Sequence, residues 1–318
     1  MIDIIGIGEL LIDFTPFEGA DGKNCFEQNA GGAPPNMLAM VAKLGGKAAF
    51  IGKVGDDEFG KDLKAVLENS NIDASGVVFS NDIPTTLAFV HLFGNGDRDF
   101  SFYRKPGADI TLEKDEIDYS LIDSAKLLHF GSLSFTDQPS KDSVLGAVKY
   151  AKDNSKLISY DPNYRAPLWT SKHDAIEGMK LGLEYCDIIK MSEEEAELLT
   201  GYADLDKAGQ DMLNRGMKLV LITKGAEGSY FYHKNGSGKV PPFKVKCVDA
   251  TGAGDAFMGA MLYQIVSSDK DILNLEKLDL EDMLRVANAT GALCVGKRGG
   301  IPGMPEKHEV EEFLRVNR

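Results

Sequence analysis

Short apolar runs alternate with amphipathic stretches along most of the chain, and this alternation predicts a βαβ succession. The runs at 3–8, 48–54, 127–131, 157–161, 187–191 and 219–224 read as strands. Between them, residues 34–44 place Met37, Leu38, Val41 and Leu44 on one helical face, with prolines at the start and Gly45 at the end. Further helices are expected at 57–70, 138–154, 174–185, 193–200, 204–215, 279–296 and 306–316, and a hairpin at 229–245 turning around Asn235-Gly236. Two segments depart from the alternation, about 12–31 and 85–108. The second holds a strand-like run at 85–93, a Gly94-Asn95-Gly96-Asp97 turn and another run at 99–104. Both segments are expected to leave the main sheet as a small β lid over a site at the strand ends. Neither a repeat nor a low-complexity linker divides the 318 residues, which predicts one α/β domain over 1–318 with the lid segments inserted.

The strongest chemical signal is Asp249-Ala250-Thr251-Gly252-Ala253-Gly254-Asp255, which opens an apolar helix. From Phe257 onward the apolar residues pair as Phe257/Met258, Met261/Leu262 and Ile265/Val266, so one stripe is expected to face a core. The first turn of a helix carries unpaired N–H groups and a partial positive charge, which together attract an anion. Gly252 and Gly254 have no Cβ, so a phosphate can approach that backbone closely. Asp255 in the same turn would sit beside a bound phosphoryl group and accept a proton from an attacking hydroxyl. The combination points to phosphoryl transfer to an alcohol. Other nucleotide motifs fail: neither Gly6-Ile7-Gly8-Glu9-Leu10-Leu11 nor Gly252-Ala253-Gly254-Asp255-Ala256-Phe257 supplies the third glycine of GxGxxG, and no GxxxxGK[ST] or protein-kinase signature occurs.

Composition narrows the partners. With 43% hydrophobic residues the chain can bury about three quarters of its unfolded surface. The balance of 35 basic and 49 acidic residues, −14 net, argues against nucleic acid or an anionic membrane as partner. An acidic protein can still take a nucleotide through local helix termini, a few basic side chains and Mg²⁺. The four cysteines (Cys25, Cys186, Cys247, Cys294) are far apart and form no CxxC pair, which favours reduced thiols and a cytoplasmic location. The chain opens on an apolar run without a basic leader, and no apolar stretch reaches the ~18 residues of a membrane span, so neither export nor insertion is indicated.

The chain resembles the ribokinase-like (PfkB) carbohydrate kinases through two separated motifs. One is Gly31-Gly32-Ala33-Pro34-Pro35-Asn36, followed by Leu44-Gly45 and Gly52-Lys53-Val54-Gly55-Asp56-Asp57-Glu58-Phe59-Gly60; the other is the 249–255 run with its helix. The resemblance implies a three-layer αβα sandwich with a mostly parallel central sheet and a small β lid. It makes Asp255 the base that takes the proton from a primary sugar hydroxyl, with the amides of Gly252, Ala253 and Gly254 as anion hole. It assigns sugar binding to Asp13, Gly32, Asn36, Arg104, Asn163 and Arg165. For ATP and Mg²⁺ it points to Ser192 and Glu195, to Thr223, Gly225 and Gly228, and to Asn288 near the adenine. Ser192 stands where the family usually has asparagine. A K⁺ loop is implied as well, from Asp249 and the backbone of Thr251, Cys294, Lys297 and Gly299, with Gly303 where a hydroxyl ligand can occur.

The start Gly8-Glu9-Leu10-Leu11-Ile12-Asp13-Phe14 and the segment Phe102-Tyr103-Arg104-Lys105-Pro106-Gly107-Ala108-Asp109 look most like fructokinases, so transfer to the 6-hydroxyl of D-fructose is the expected reaction. The alternative acceptor is 2-keto-3-deoxygluconate, whose carboxylate would need a cationic clamp that Arg104 and Arg165 could form. A catalytically silent sugar-binding regulator is the alternative of another class; loss of the base or the anion hole would mark it. Lid strands in this family often pair between subunits, which makes a homodimer the expected assembly.

Overall fold

The computed structural model describes residues 1–92 and 98–317. Among them, thirteen strands run in chain order: β1 (Ile2–Ile7), β2 (Leu11–Glu18), β3 (Asn24–Gly31), β4 (Ala48–Gly55), β5 (Ile72–Ser80), β6 (Leu87–Leu92), β7 (Arg98–Tyr103), β8 (Ala125–Gly131), β9 (Leu157–Asp161), β10 (Ile188–Ser192), β11 (Leu219–Thr223), β12 (Ser229–His233) and β13 (Gly236–Val240). The α-helices are α1 (Ala33–Lys43), α2 (Glu58–Asn69), α3 (Tyr119–Ser124), α4 (Ser140–Asp153), α5 (Lys172–Leu183), α6 (Glu193–Thr200), α7 (Leu205–Asn214), α8 (Ala253–Ser267), α9 (Lys277–Cys294) and α10 (Lys307–Val316).

Nine strands form one sheet in the order β13-β12-β11-β10-β9-β8-β1-β4-β5. Pairing is parallel from β5 to β11, and the β11-β12-β13 edge is antiparallel. Because successive strand residues point to opposite faces, Ile4, Leu127, Ile188, Leu219 and Leu221 enter one apolar layer, and Ile5, Leu128, Ile189, Val220 and Ile222 enter the other. Residues of α1, α2, α8 and α9 fill the first layer, and residues of α4 to α7 fill the second. This is the three-layer arrangement that parallel strands, buried on both faces, require.

Two elements differ from expectation. Helix α8 is not a one-stripe helix: an unbroken run from Ala256 to Leu262 is buried, because α1 and α9 pack on its flanks. The 229–245 hairpin is shorter than its sequence alternation suggests. Strand β13 stops at Val240, and register places His233 opposite Gly236, so the connecting pair is Lys234-Asn235. The residues beyond Val240 become a loop on the rim of a large cavity.

The expected lid segments form a separate four-stranded sheet, β3-β2-β6-β7. The Gly94-Asn95-Gly96-Asp97 turn lies outside the described residues. One face of this sheet carries an aromatic cluster, Phe14 on Phe89 at 4.9 Å and Phe89 against Phe26 and Tyr103 at 5.4 and 5.5 Å, tied to α2 through Phe59. The opposite face turns Asp13, Phe100 and Phe102 toward the carboxyl ends of the central strands.

Candidate active site

The site is built around the amino-terminal turn of α8. Gly252 adopts φ +78°, the left-handed conformation that a side chain disfavours, and thereby swings the chain into the helix. The first helical hydrogen bond runs from the Ala256 amide to the Gly252 carbonyl at 2.7 Å. The amides of Gly254 and Asp255 precede it and so have no acceptor within the helix. They point out of the helix end, where its dipole is positive.

This turn is the wall between two cavities. The larger, about 510 Å³, is bounded by Ala250, Ala253 and Gly254 on the α8 side, by Thr223, Gly225 and Gly228 after β11, and by Asn288 and Gly291 on α9. Phe243, Lys244, Val245 and Cys247 of the post-β13 loop close its rim. The smaller lies on the other side and is lined by Gly252 and Asp255, with Glu9, Asp13, Gly32, Asn36, Asn163, Arg165, Phe100 and Phe102 among its other walls. Both cavities open at the carboxyl ends of the strands, where parallel sheets place ligands.

Asp255 faces the smaller cavity, and its Oδ2 accepts a hydrogen bond from Asn36 Nδ2 at 2.9 Å. Burial pushes its carboxyl up to about 6, with Lys190 and Asn36 opposing the rise and the Asp161 carboxylate adding to it. Lys190 forms a buried ion pair with Asp161 at 2.7 Å. Burial works against its charge, but Asp161 and Glu195 outweigh burial and hold the ammonium above its usual range. A Cβ on Gly254 would stand 2.9 Å from Lys190 Nζ, so this ammonium lies against the backbone of the anion-attracting turn.

The sequence assignments separate cleanly in space. Asp13, Gly32, Asn36, Asn163 and Arg165 come together in the smaller cavity, and Thr223, Gly225, Gly228 and Asn288 in the larger. Gly32 must be glycine: at φ +114°, a Cβ would come within 2.4 Å of the Glu9 carbonyl. Arg104 is not in the cavity wall. Its guanidinium is 5% exposed and engaged by Asp109 Oδ2 and Thr136 Oγ1 at 2.8 and 2.9 Å and by the Leu133 carbonyl at 2.9 Å. Ser192 and Glu195 also stand outside both linings. They form the capping box of α6, and the second oxygen of Glu195 accepts the Tyr164 amide at 2.7 Å. Asn288 binds Ser229 Oγ and the Val240 and Pro241 carbonyls, fixing the end of β13 over the larger cavity.

The six residues of the expected cation loop converge behind Gly252. The Asp249 carboxylate accepts the amides of Thr251 and Gly299 at 2.9 and 3.0 Å, Cys294 Sγ contacts the Thr251 carbonyl at 3.5 Å, and the Lys297 amide bonds the Cys294 carbonyl. A Cβ on Gly303 would stand 3.7 Å from the same Cys294 carbonyl. Sequence reasoning missed Glu9, Phe100, Phe102 and the 242–247 rim. Phe100 and Phe102 carry the period-two signal of one strand face, whereas Glu9 sits in an apolar run that gives no hint of a cavity.

The pfkB family carbohydrate kinase model matches residues 1–307. The chain belongs to that family. It is 42% identical to the probable fructokinase-4 of Arabidopsis thaliana over 99% of its own length and 97% of that relative. The ATP-bound fructokinase of Xylella fastidiosa superposes with a TM-score of 0.91 at 32% identity, covering 99% of this chain and 98% of that one. A double mutant of the Vibrio cholerae O395 fructokinase in its fructose-, ADP- and potassium-bound form gives 0.88 at 29% identity, covering 98% of each chain. The protein is therefore an ATP-dependent carbohydrate kinase, and its αβα sandwich is the ribokinase-like fold.

Proposed function

We propose that this kinase transfers the γ-phosphoryl group of ATP to the 6-hydroxyl of D-fructose, with the nucleotide in the larger cavity and the sugar in the smaller. The observation that carries the proposal is the α8 turn, whose two faces border the two cavities. The sugar hydroxyl oxygen attacks the γ-phosphorus, the bond to the ADP oxygen breaks, and the hydroxyl proton passes to Asp255. The amides of Gly252, Ala253 and Gly254 hold the charge on the migrating phosphoryl group, and such positioned donors are the main contribution a protein makes to a loose phosphoryl transfer. Asn36 orients the base and keeps it ionised.

Among the described residues no group of three His, Cys, Asp or Glu side chains is arranged to hold a metal ion. Mg²⁺ is accordingly expected to arrive on the nucleotide phosphates, with Glu195 acting at one remove from its capping position. For K⁺, the donor set of one carboxylate and several backbone carbonyls suits a hard cation. When bound, K⁺ would brace the 249–252 and 294–303 loops behind the anion hole. The lid sheet is read as a cover that shields the sugar from water, and its aromatic outer face, with Tyr103 67% exposed, as the surface for pairing with a second copy.

Fructose is preferred over 2-keto-3-deoxygluconate because only one of the two arginines that could clamp a carboxylate borders the acceptor cavity. ADP release measured with fructose, 2-keto-3-deoxygluconate, ribose and adenosine, each with and without K⁺, tests the assignment. Fructose should give the highest kcat/KM and K⁺ should raise it; a preference for the keto-acid would overturn the substrate, and no transfer to any of the four would revive the regulator.

A further inference from the structure

One buried acid in the acceptor cavity has no part in the phosphoryl transfer itself. Glu9 follows β1 after Gly8, is 2% exposed, and borders the smaller cavity together with Asp13 and Asn36. Its Oε1 accepts the Ala33 amide at 2.8 Å, which caps the start of α1. Its Oε2 is buried and has no hydrogen-bond partner among the described residues, and the same holds for Oδ1 of Asn36 on the same cavity wall. A buried polar atom without a partner is costly, commonly about 1–3 kcal/mol, and in a cavity wall it marks the place where a ligand atom completes the bond. Burial also pushes the Glu9 carboxyl up to about 7.

The chemistry of the wall selects the ligand. Glu9, Asp13 and Asp255 supply three carboxyl groups, against the single cation of Arg165. Two of the acceptors waiting on this wall call for donors. A hydroxyl group meets an ionised Glu9 as donor and a protonated Glu9 as acceptor, so it is matched in either state. A ligand carboxylate is matched only by the protonated form and is repelled by the other. We infer that Glu9 is a specificity-determining residue: its Oε2 binds a hydroxyl of a neutral polyhydroxy acceptor, and with Asp13 it disfavours an acceptor that carries its own carboxylate. This rests on the sugar-kinase assignment of the smaller cavity and narrows it to neutral sugars.

The test compares the wild-type protein with Glu9→Gln, which keeps an acceptor for the Ala33 amide and the side-chain volume. The expected result is a fall of about tenfold or more in the KM for 2-keto-3-deoxygluconate, whose carboxylate the amide can meet, while the KM for fructose stays within a few-fold because a hydroxyl can pair with the amide. The expected kcat lies within about threefold of wild type, the KM for ATP does not change, and the kcat/KM ratio of fructose over 2-keto-3-deoxygluconate falls. A purely structural capping role would lower Tm and disturb both substrates together. An unchanged discrimination between fructose and the acid in the folded variant would overturn the inference while leaving the kinase assignment in place. Should Glu9→Gln fail to fold, calorimetric titration of the wild-type protein with singly deoxygenated fructoses takes over: one analogue should bind at least tenfold more weakly, and equal binding of all of them would refute the selection. Failure of wild type to phosphorylate any sugar would instead remove the assignment beneath it.

Discussion

At the scale of single residues, the decisive feature is where charge sits around Asp255. A carboxylate of ordinary acidity is a weak base, and burial beside Asp161 makes this one stronger while Lys190 and Asn36 prevent it from being neutralised. As the proposed base, Asp255 must be ionised to take the proton, so activity should be present above its pKa of about 6 and lost as the pH falls through it. The kcat/KM for fructose should therefore fall tenfold per pH unit below about 6. Asn36→Ala removes a hydrogen bond that lowers this pKa, so its acid limb should move to higher pH. A pH profile with no inflection between 5 and 7, or a shift in the opposite direction, would contradict the assigned role.

Residue type and spacing single out Asp255 and the glycines beside it, and the family resemblance adds Asp13 and Asn36. Asp255, Asn36, Asp13 and the glycines belong to runs whose types are chemically restrictive, and they do meet. Arg104 does not behave as its type suggests, because a guanidinium near Asp109, Thr136 and a backbone carbonyl can be satisfied inside the protein. Nothing local in the sequence distinguishes a buried arginine so paired from one aimed at a ligand. Glu9 escapes notice for the converse reason. A lone acid in an apolar run looks like an exception until the fold shows that α1 begins beside it.

At the scale of elements, the decisive piece is the start of α8. The left-handed Gly252 turns the chain so that the residues after it stand between the two cavities. Gly252→Ala would strain that conformation by about 1–2 kcal/mol and bring a Cβ 3.1 Å from the Gly300 backbone. We expect a lower Tm by a few degrees and a fall in kcat larger than any change in the KM for fructose. A variant with wild-type kcat would show that this turn does not shape the anion hole. The elements that sequence patterns missed are those whose pattern is weak by nature. Strand β5 alternates Ile72, Ala74 and Gly76 with exposed Asp73 and Ser75, the polar face of a sheet edge. Helix α3 is only six residues long. Phe243 and Val245 continue the hairpin's apolar alternation, but the chain leaves the sheet at Val240.

At the scale of the molecule, the sheet order explains why the two cavities adjoin. Strand β1 lies between β4 and β8, and the segments leaving β1, β9 and β11 deliver Glu9, Asn163 with Arg165, and Gly225 with Gly228 to one side of the sheet. The helix turn from the far end of the chain then divides that side into two chambers. The net charge of −14 makes this division matter, since an acidic protein must concentrate its positive potential where the phosphates lie. A helix terminus and a buried lysine do so locally, and no helix among the described residues is long and apolar enough to cross a membrane.

The most direct test of this arrangement is the single-turnover rate of Asp255→Asn with saturating ATP and fructose, alongside calorimetric binding of each ligand. An amide of the same shape keeps the wall between the chambers but cannot take a proton. Both ligands should still bind within a few-fold of wild type while the transfer rate falls by about 10²–10⁴. Transfer at a near wild-type rate would contradict the assignment of Asp255 as the base.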